Sequence, residues 1–439
     1  MNKEEIKKVL RPIFYPIFDY SLEISIKVSY KLYQKNGIIR ILNQIWEIVL
    51  SLFGFRVYKV FSHADYCKLY GGSIQDLEIN RVGKSIGLIY NVDQTPEMGD
   101  VELPDLFFSK YSNLIIHGDS DCILDELNRI VINDFASTMD TDRFSNPYGV
   151  IRIQKGHCAF IIKRKLSRTI DKGLSICTPG AGNLYHNVYD CMTKLHVINK
   201  YNILSDYPLI ADEAIRKVPQ LLELFNIMNK SGRGVIWIPE RSIAKVHNLA
   251  VISSVNEMPV QLKSIENIRT QDFKYDISIL KDFQSYLLQF KSGDVYPKRI
   301  FLSRKGFSRR SFNEEEIIHV AKKQNIDIVH PETLSFCQQL SLFNGAELII
   351  GATGAAFTNI LFCNYKTTAI CMMGIDINLP IFTGGAYTSG CKLIYHIGHL
   401  TGKTLRYKIQ SSFHIAPESF EDLLNDIEKH HHDITTKNN

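Results

Sequence analysis

The segment KRIFLSRKGFSRRSFNEEEIIHVAKKQNIDIVHPETLSFCQQLSLFNGAELIIGATGAAFTNILFCNYKTTAICMM, Lys298 to Met373, alternates short apolar runs with helix-length amphipathic ones. RIFLS (299–303), IDIVH (326–330), ELIIG (347–351) and TTAICMM (367–373) have the length and β-branched content of buried strands. NEEEIIHVAKKQN (313–325) predicts a helix, with Asn313 as N-cap, Glu316 at capping-box spacing, acids at its positive end and Lys322 and Lys323 at its negative end. SFCQQLSLFN (335–344) predicts a second helix, stopped by Gly345, and AAFTNILF (355–362) begins a third. A β-α-β-α-β-α-β run implies right-handed crossovers and parallel strands. The loop that starts at Arg304 and the turn GATGAA then open on one edge of the sheet, over one crevice.

A shorter alternation precedes it: ICTPGAGN (176–183), a helix from about Leu184 to Asn199, a strand YPLIA (207–211), a helix around 213–229 and a strand GVIWI (234–238). Between residues 75 and 150, runs such as SIGLIY (85–90), NLIIHG (113–118) and RIVIND (129–134) lie between Gly, Asp and Asn clusters and predict strands and turns. The organisation expected is a basic helical arm over 1–74, a β-rich segment and Rossmann-like domain over 75–260, a second Rossmann-like domain over 261–416 and a helix and tail over 417–439. No internal repeat is visible.

Composition narrows the function. The 439 residues, 45% apolar and 22% charged, can bury a large core. Residues 1–60 carry ten Lys and Arg against five Asp and Glu, and the rest of the chain is balanced at 41 each. A neutral body lacks the basic stripe of a nucleic-acid binder. In IIRILNQIWEIVLSLFGF (38–55), Ile38, Ile41, Leu42, Ile45, Ile48 and Val49 recur at helical spacing, with Lys27, Lys31, Lys35, Arg40 and Arg56 nearby. That pattern suits a helix on an anionic membrane surface, or an arm packed on its own body or on a second subunit. Nine Cys without a CxxC pair predict reduced, buried thiols in a cytosolic protein. No signal peptide or spanning run is expected.

Three pieces suggest chemistry. In GATGAAFTN (351–359) small residues end a strand and a helix starts at once, a place where N–H groups and the helix dipole favour an anion. Thr353, Thr358 and Asn359 add side-chain hydrogen bonds, although such a turn can also be tight packing alone. Arg304, Lys305, Arg309 and Arg310 belong to the loop over the same crevice, and guanidinium forks suit a diphosphate. In NLYHNVYD (183–190), His186 and Asp190 stand four apart on one helix face, an imidazole beside a carboxylate competent as general base. No GxGxxG follows a strand, Gly385 to Gly390 ends in Cys391 where a P-loop needs Lys, and GxSxG and HExxH do not occur.

These pieces, in this order, resemble glycosyltransferase family 61. Asn183, Tyr185, His186 and Asp190 are similar to the family's N-x-Y-H-W-x-x-D pattern. Arg304, Arg309 or Arg310, Asn313 and Glu314 are similar to its Arg-rich R…R…N-E segment. LSFCQQLSLFNGAELIIGATGAAFTN (334–359) is similar to its L-S-F-x-x-Q-x-x-L-F-x-x-A-x-x-I-I-G-x-H-G-A-G-x-T-N motif. The likeness covers about residues 80–410. Two departures are visible: Thr353, Gly354, Ala355 and Ala356 stand where the family has HGAG, and the family's acidic residue after the next strand falls near Cys371 or Met372, with Asp376 close behind.

The resemblance implies an α/β GT-B-like fold of two facing Rossmann-like domains, with a nucleotide sugar held mainly by the C-terminal one. It implies inverting transfer without an obligatory metal or other cofactor, from a nucleotide-diphosphate donor, UDP-linked as first expectation, to a glycan or lipid-linked glycan. The sugar could be a hexosyl, N-acetylhexosaminyl or pentosyl group. Asp190 or His186 would be the base, Arg304, Arg309, Arg310, Thr353, Gly354, Ala355, Thr358 and Asn359 the donor site, and Asn183 and Tyr185 the acceptor side. A bacterial enzyme of capsule, lipopolysaccharide or exopolysaccharide assembly is expected, cytoplasmic and peripheral on the inner face of the plasma membrane through residues 1–56, with a homodimer possible. Two alternatives stand: a metal-dependent transferase using Asp119 and Asp121, with Asp140 and Asp142 nearby, and a catalytically silent subunit of a polysaccharide-assembly complex. His430 to His432 read as an incidental run.

Overall fold

The computed structural model describes residues 55–127, 129–131, 144–145, 150–154, 158–162, 165–258, 261–262, 269–306, 310–375, 379–401 and 411–437. The chain divides into two compact units, Met1–Val57 with Phe160–Lys163, and Tyr58–Ala159 with Arg164–Asn439. Of the helical arm expected over 1–74, residues 1–54 lie outside the described residues; the remainder is a correction, since Phe55–Phe61 is a strand and only His63–Tyr70 is helical.

The C-terminal half of the second unit is built on five parallel strands in the spatial order Asp327–Val329, Arg299–Leu302, Leu348–Ala352, Thr368–Met373 and Lys392–Ile397. The four predicted strands are present, and Lys392–Ile397 adds a fifth. Leu348–Ala352 and Thr368–Met373 are buried at every position, as central parallel strands covered on both faces should be. In chain order the arrangement is 2-1-3-4-5. The connection out of Arg299–Leu302 runs to one side and later connections to the other, so a crevice opens beyond the C-terminal ends of Arg299–Leu302 and Leu348–Ala352.

Two covering helices, Glu314–Lys323 and Phe336–Gly345, stand where the sequence predicts them. Glu314–Lys323 has its acids in the first turn and its lysines in the last, and buries Ile317, Val320 and Ala321. Its expected cap does not form: the Asn313 side chain donates to Glu316 Oε2 at 2.7 Å and to the Ile415 carbonyl at 2.9 Å instead of serving the helix N–H groups. A long-range partner has won over the local one. Phe336–Gly345 begins with a full capping box of Ser335 and Gln338. The C-terminal helix Pro417–Lys437 packs Phe420, Leu424 and Ile427 beside Ile317 and Val320.

The other half holds a mixed sheet, a correction to the parallel sheet expected there. Lys165–Ser175, Leu209–Asp212 and Val235–Ile238 are parallel, joined by the helical segments that the sequence predicts. Ser242–Ile252 pairs in parallel on the other side of Lys165–Ser175, and the long strand Leu106–His117 then pairs antiparallel to it. Ile123–Leu124, Arg129–Val131 and the backbone of Lys59–Phe61 continue the sheet. Residues 176–183 form a loop.

One core runs between the two sheets. Leu174, Val188 and Leu195 pack in the same buried cluster as Phe283, Leu302, Phe336 and Phe357. The hairpin of Val82–Ile86 and Met98–Glu102 also crosses over: Lys84 exchanges backbone hydrogen bonds with Tyr275, and the Tyr395 N–H donates to the Ile89 carbonyl at 2.8 Å. Among the described residues no helix is long and apolar enough to cross a membrane.

Candidate active site

At the crevice, strand Leu348–Ala352 comes close to its neighbour because Gly351 has no side chain: a Cβ there would lie 3.0 Å from the Leu302 Cβ and 3.2 Å from the Phe357 ring. The Thr353 N–H donates to the Met372 carbonyl at 2.9 Å and anchors the turn. Gly354 is extended, with φ 176°. The segment Ala355–Phe362 that follows is a 3₁₀ helix, where the sequence suggested an ordinary helix start. Its residues are buried except Ala355 and Ala356, which reach solvent at the end where the first N–H groups lack intrahelical partners.

Two arginines close on this turn. A Cβ on Gly354 would overlap Nη1 of Arg304, so the guanidinium lies directly against the Gly354 backbone. The Arg310 Nη1 donates to the Thr353 carbonyl at 3.0 Å. The Arg304 backbone N–H donates to Glu314 Oε1 at 2.8 Å, which ties the loop to the start of helix Glu314–Lys323. Burial lowers the pKa of Arg304, and the charges of Glu314 and Glu332 act against that effect. Arg309 lies outside the described residues, as do Asp140, Asp142 and Asp376, and the exposed Lys305 donates its backbone N–H to Ser303 Oγ at 3.2 Å.

Polar atoms behind the turn are incompletely satisfied. Thr353 Oγ1, Thr358 Oγ1 and Asn359 Oδ1 are buried and have no hydrogen-bond partner among the described residues. Buried polar groups are nearly always paired, so three such atoms in seven residues mark a place where a ligand or solvent belongs. The other end of Asn359 is a strut: its Nδ2 donates to Gln339 Oε1 at 2.7 Å, and the Gln339 amide donates to the Pro331 carbonyl at 2.9 Å.

The imidazole and carboxylate also meet. Asn183 caps the short helix Leu184–His186, accepting from the Tyr185 N–H at 2.9 Å. The chain then widens into a π-helical turn, Asn187–Met192, before resuming as Thr193–Lys200. The Tyr189 carbonyl accepts from Thr193 Oγ1 at 2.6 Å and from Asn256 Nδ2 at 3.0 Å, side-chain partners that suit the interrupted ladder. His186 Nδ1 and Asp190 Oδ2 are 3.1 Å apart, with side chains 18% and 19% exposed. An ionised carboxylate only accepts, so this bond puts the proton on Nδ1 and leaves Nε2 as the basic nitrogen. Segment Leu184–His186 packs against Ala355–Phe362, which places the helix that carries the dyad beside the segment that follows the arginine-lined turn.

Tyr185, expected on the acceptor side, is placed in the core. Its hydroxyl donates to Met258 Sδ at 2.7 Å, its ring meets Tyr189 and Phe382, and burial raises its pKa well above that of ordinary tyrosine. Asp119, a candidate metal ligand, accepts from the Gly180 N–H at 2.9 Å through Oδ1. Asp121 lines a separate small cavity with His63 and Lys194. Among the described residues no three His, Cys, Asp or Glu side chains gather where they could hold one ion. Asp212, unremarked in the sequence, lies behind this loop; burial pushes its pKa up to about 7.

Residues 184–370 match the family model described as Glycosyltransferase 61. The match starts at the helix that carries His186 and runs past the turn that carries Gly354, so it spans both parts of the site. It supports placing the chain in glycosyltransferase family 61 and supports transferase activity. No curated protein matches the chain.

Proposed function

We propose that the chain is an inverting glycosyltransferase that moves a sugar from a nucleotide-diphosphate donor to a hydroxyl of a glycan. The observation that carries this reading is the Arg304 guanidinium against Gly354, at the switch point of a parallel sheet and beside a helix start. The donor's diphosphate would lie on the Ala355 and Ala356 N–H groups between Arg304 and Arg310, with Thr353 and Thr358 behind it. His186 Nε2 takes the proton of the acceptor hydroxyl while Asp190 holds the ring and stabilises the imidazolium. The acceptor oxygen bonds to the anomeric carbon as its bond to the diphosphate breaks, and inversion follows from attack on the opposite face. The two guanidinium groups and the helix start meet the charge on the departing diphosphate, so no divalent cation is required.

In this reading the two sheets are the halves of a GT-B-like enzyme, with donor and acceptor on the facing edges. The product would be a surface glycan such as capsule, lipopolysaccharide or exopolysaccharide, assembled at the cytoplasmic face of a membrane to which the basic residues of 1–56 attach the protein. A silent assembly subunit is the second reading, favoured by Thr353 in the position of the family's histidine. Incubation with a panel of nucleotide sugars, with and without EDTA, decides among them. Release of nucleoside diphosphate unaffected by EDTA, with a product of inverted anomeric configuration, supports the proposal. Loss of turnover in EDTA and recovery with Mn²⁺ points to the metal-dependent alternative, and no binding of any donor points to the silent subunit.

A further inference from the structure

Behind the His186–Asp190 pair, two loops are fastened to the end of a strand by one carboxylate. Asp212, 1% exposed, ends strand Leu209–Asp212. Its Oδ1 accepts from the Asp119 N–H at 2.6 Å, and its Oδ2 accepts from the Thr178 N–H at 3.0 Å. Asp119 passes the connection on, since its Oδ1 accepts from the Gly180 N–H at 2.9 Å. Gly180 has φ +72°, and a Cβ on it would lie 2.9 Å from Cδ2 of His186. The imidazole is therefore held between Asp190 on its Nδ1 side and the Gly180 backbone against its carbon edge.

We propose that Asp212 is a positioning residue that sets the orientation of the His186 ring through Asp119 and Gly180; this rests on the reading of His186 as proton acceptor. The geometry has the marks of a positioning device. Asp119 has positive φ, a conformation that a residue with a side chain seldom adopts, and the bond from its N–H to Asp212 holds it there; Gly180 supplies its own positive φ freely. Burial pushes the pKa of Asp212 up to about 7, and the N–H groups of Asp119 and Thr178, with the charge of Lys194 as a smaller contribution, act against that and favour its doubly accepting form. Neither Asp212 nor Asp119 needs to touch substrate for this. A ring displaced by a fraction of an ångström loses alignment with the acceptor hydroxyl while the diphosphate site is untouched.

The test uses the full chain with ¹⁵N-labelled histidine, the His186 resonance being assigned by its loss in His186→Gln. In Asp212→Asn one acceptor becomes a donor. The expected result is a displaced His186 ring-nitrogen signal and a shifted His186 titration midpoint, with the His63 signal unmoved and thermal stabilisation by UDP retained. Asp119→Ala cuts the same connection nearer the ring and serves if Asp212→Asn fails to fold; it should give the same displacement. Where turnover is measurable, Asp212→Asn should lower kcat about tenfold with donor KM little changed. It should have no further effect in a His186→Gln background, whereas a merely structural role would lower both. Unchanged His186 signals in a folded variant of either kind overturn the proposal. Absence of turnover in the unaltered protein counts against the transferase reading alone, because the nitrogen signals report the ring independently.

Discussion

The Arg304 guanidinium fills the space that a side chain on Gly354 would need. Gly354 is extended, a conformation open to any residue, so its lack of a Cβ is a matter of room and not of backbone strain. Gly354→Ala should therefore fold normally yet displace Arg304. A charge-assisted hydrogen bond is worth about 2 kcal/mol, which predicts nucleoside diphosphate binding weakened roughly 30-fold with an unchanged melting temperature. Calorimetry and thermal melting on the same sample check both halves.

His186→Ala and Asp190→Asn should separate chemistry from binding. General base catalysis contributes about 10² to 10⁴ in rate, so kcat should fall by that order in His186→Ala while diphosphate binding stays within about twofold. Asp190→Asn should fall less far, because it keeps a side chain that can accept from Nδ1. Single-turnover rates and calorimetry are the measurements.

Stability should carry an acid-sensitive component from His63, which burial holds down to about 3, assisted by the charge of Lys194. The unfolded chain takes up this proton below about 6.5, and the folded protein does so only near 3. The native state thus binds fewer protons across that window, so the stability contributed by neutral His63 is complete above pH 6.5 and is lost as the pH falls towards 3. Urea melts of the unaltered protein and of His63→Gln from pH 4 to 7.5 should show a difference that shrinks as the pH is lowered.

Residues 1–56 should matter for location and not for donor binding. Replacing Lys27, Lys31, Lys35 and Arg40 by Glu in the full chain should reduce sedimentation with anionic liposomes, the more so at low salt, and leave thermal stabilisation by UDP intact. Unchanged sedimentation would remove the membrane role of this arm.

The C-terminal sheet was legible because the signals used there are local: apolar runs of strand length, amphipathic spacing, and acids and lysines at opposite helix ends. Its crevice followed from strand order, and the approach of Arg304 to the 351–359 turn followed from the crevice. Other features depend on distant partners. The π-helical turn over Asn187–Met192 leaves no mark in NVYDCM, since the groups that meet the Tyr189 carbonyl include Asn256, 67 positions away. Asn313 fails as a cap because Ile415 offers it a better partner. The antiparallel pairing of Ser242–Ile252 with Leu106–His117 joins segments too far apart in sequence for any pattern to report. Tyr185 was expected on the acceptor side from its match to the family's N-x-Y-H pattern, yet its side chain meets Met258 and Phe382.

The central claim is that the turn at Gly354 and the guanidinium of Arg304 grip a diphosphate. Calorimetric titration of the unaltered protein and of Arg304→Ala with UDP, UMP and uridine tests it most directly. The account predicts that UDP binds well over tenfold more tightly than UMP, that uridine binds weakest, and that Arg304→Ala removes most of the UDP advantage. Equal affinity for UDP and uridine, or an Arg304→Ala variant that still prefers UDP by the same margin, would contradict it.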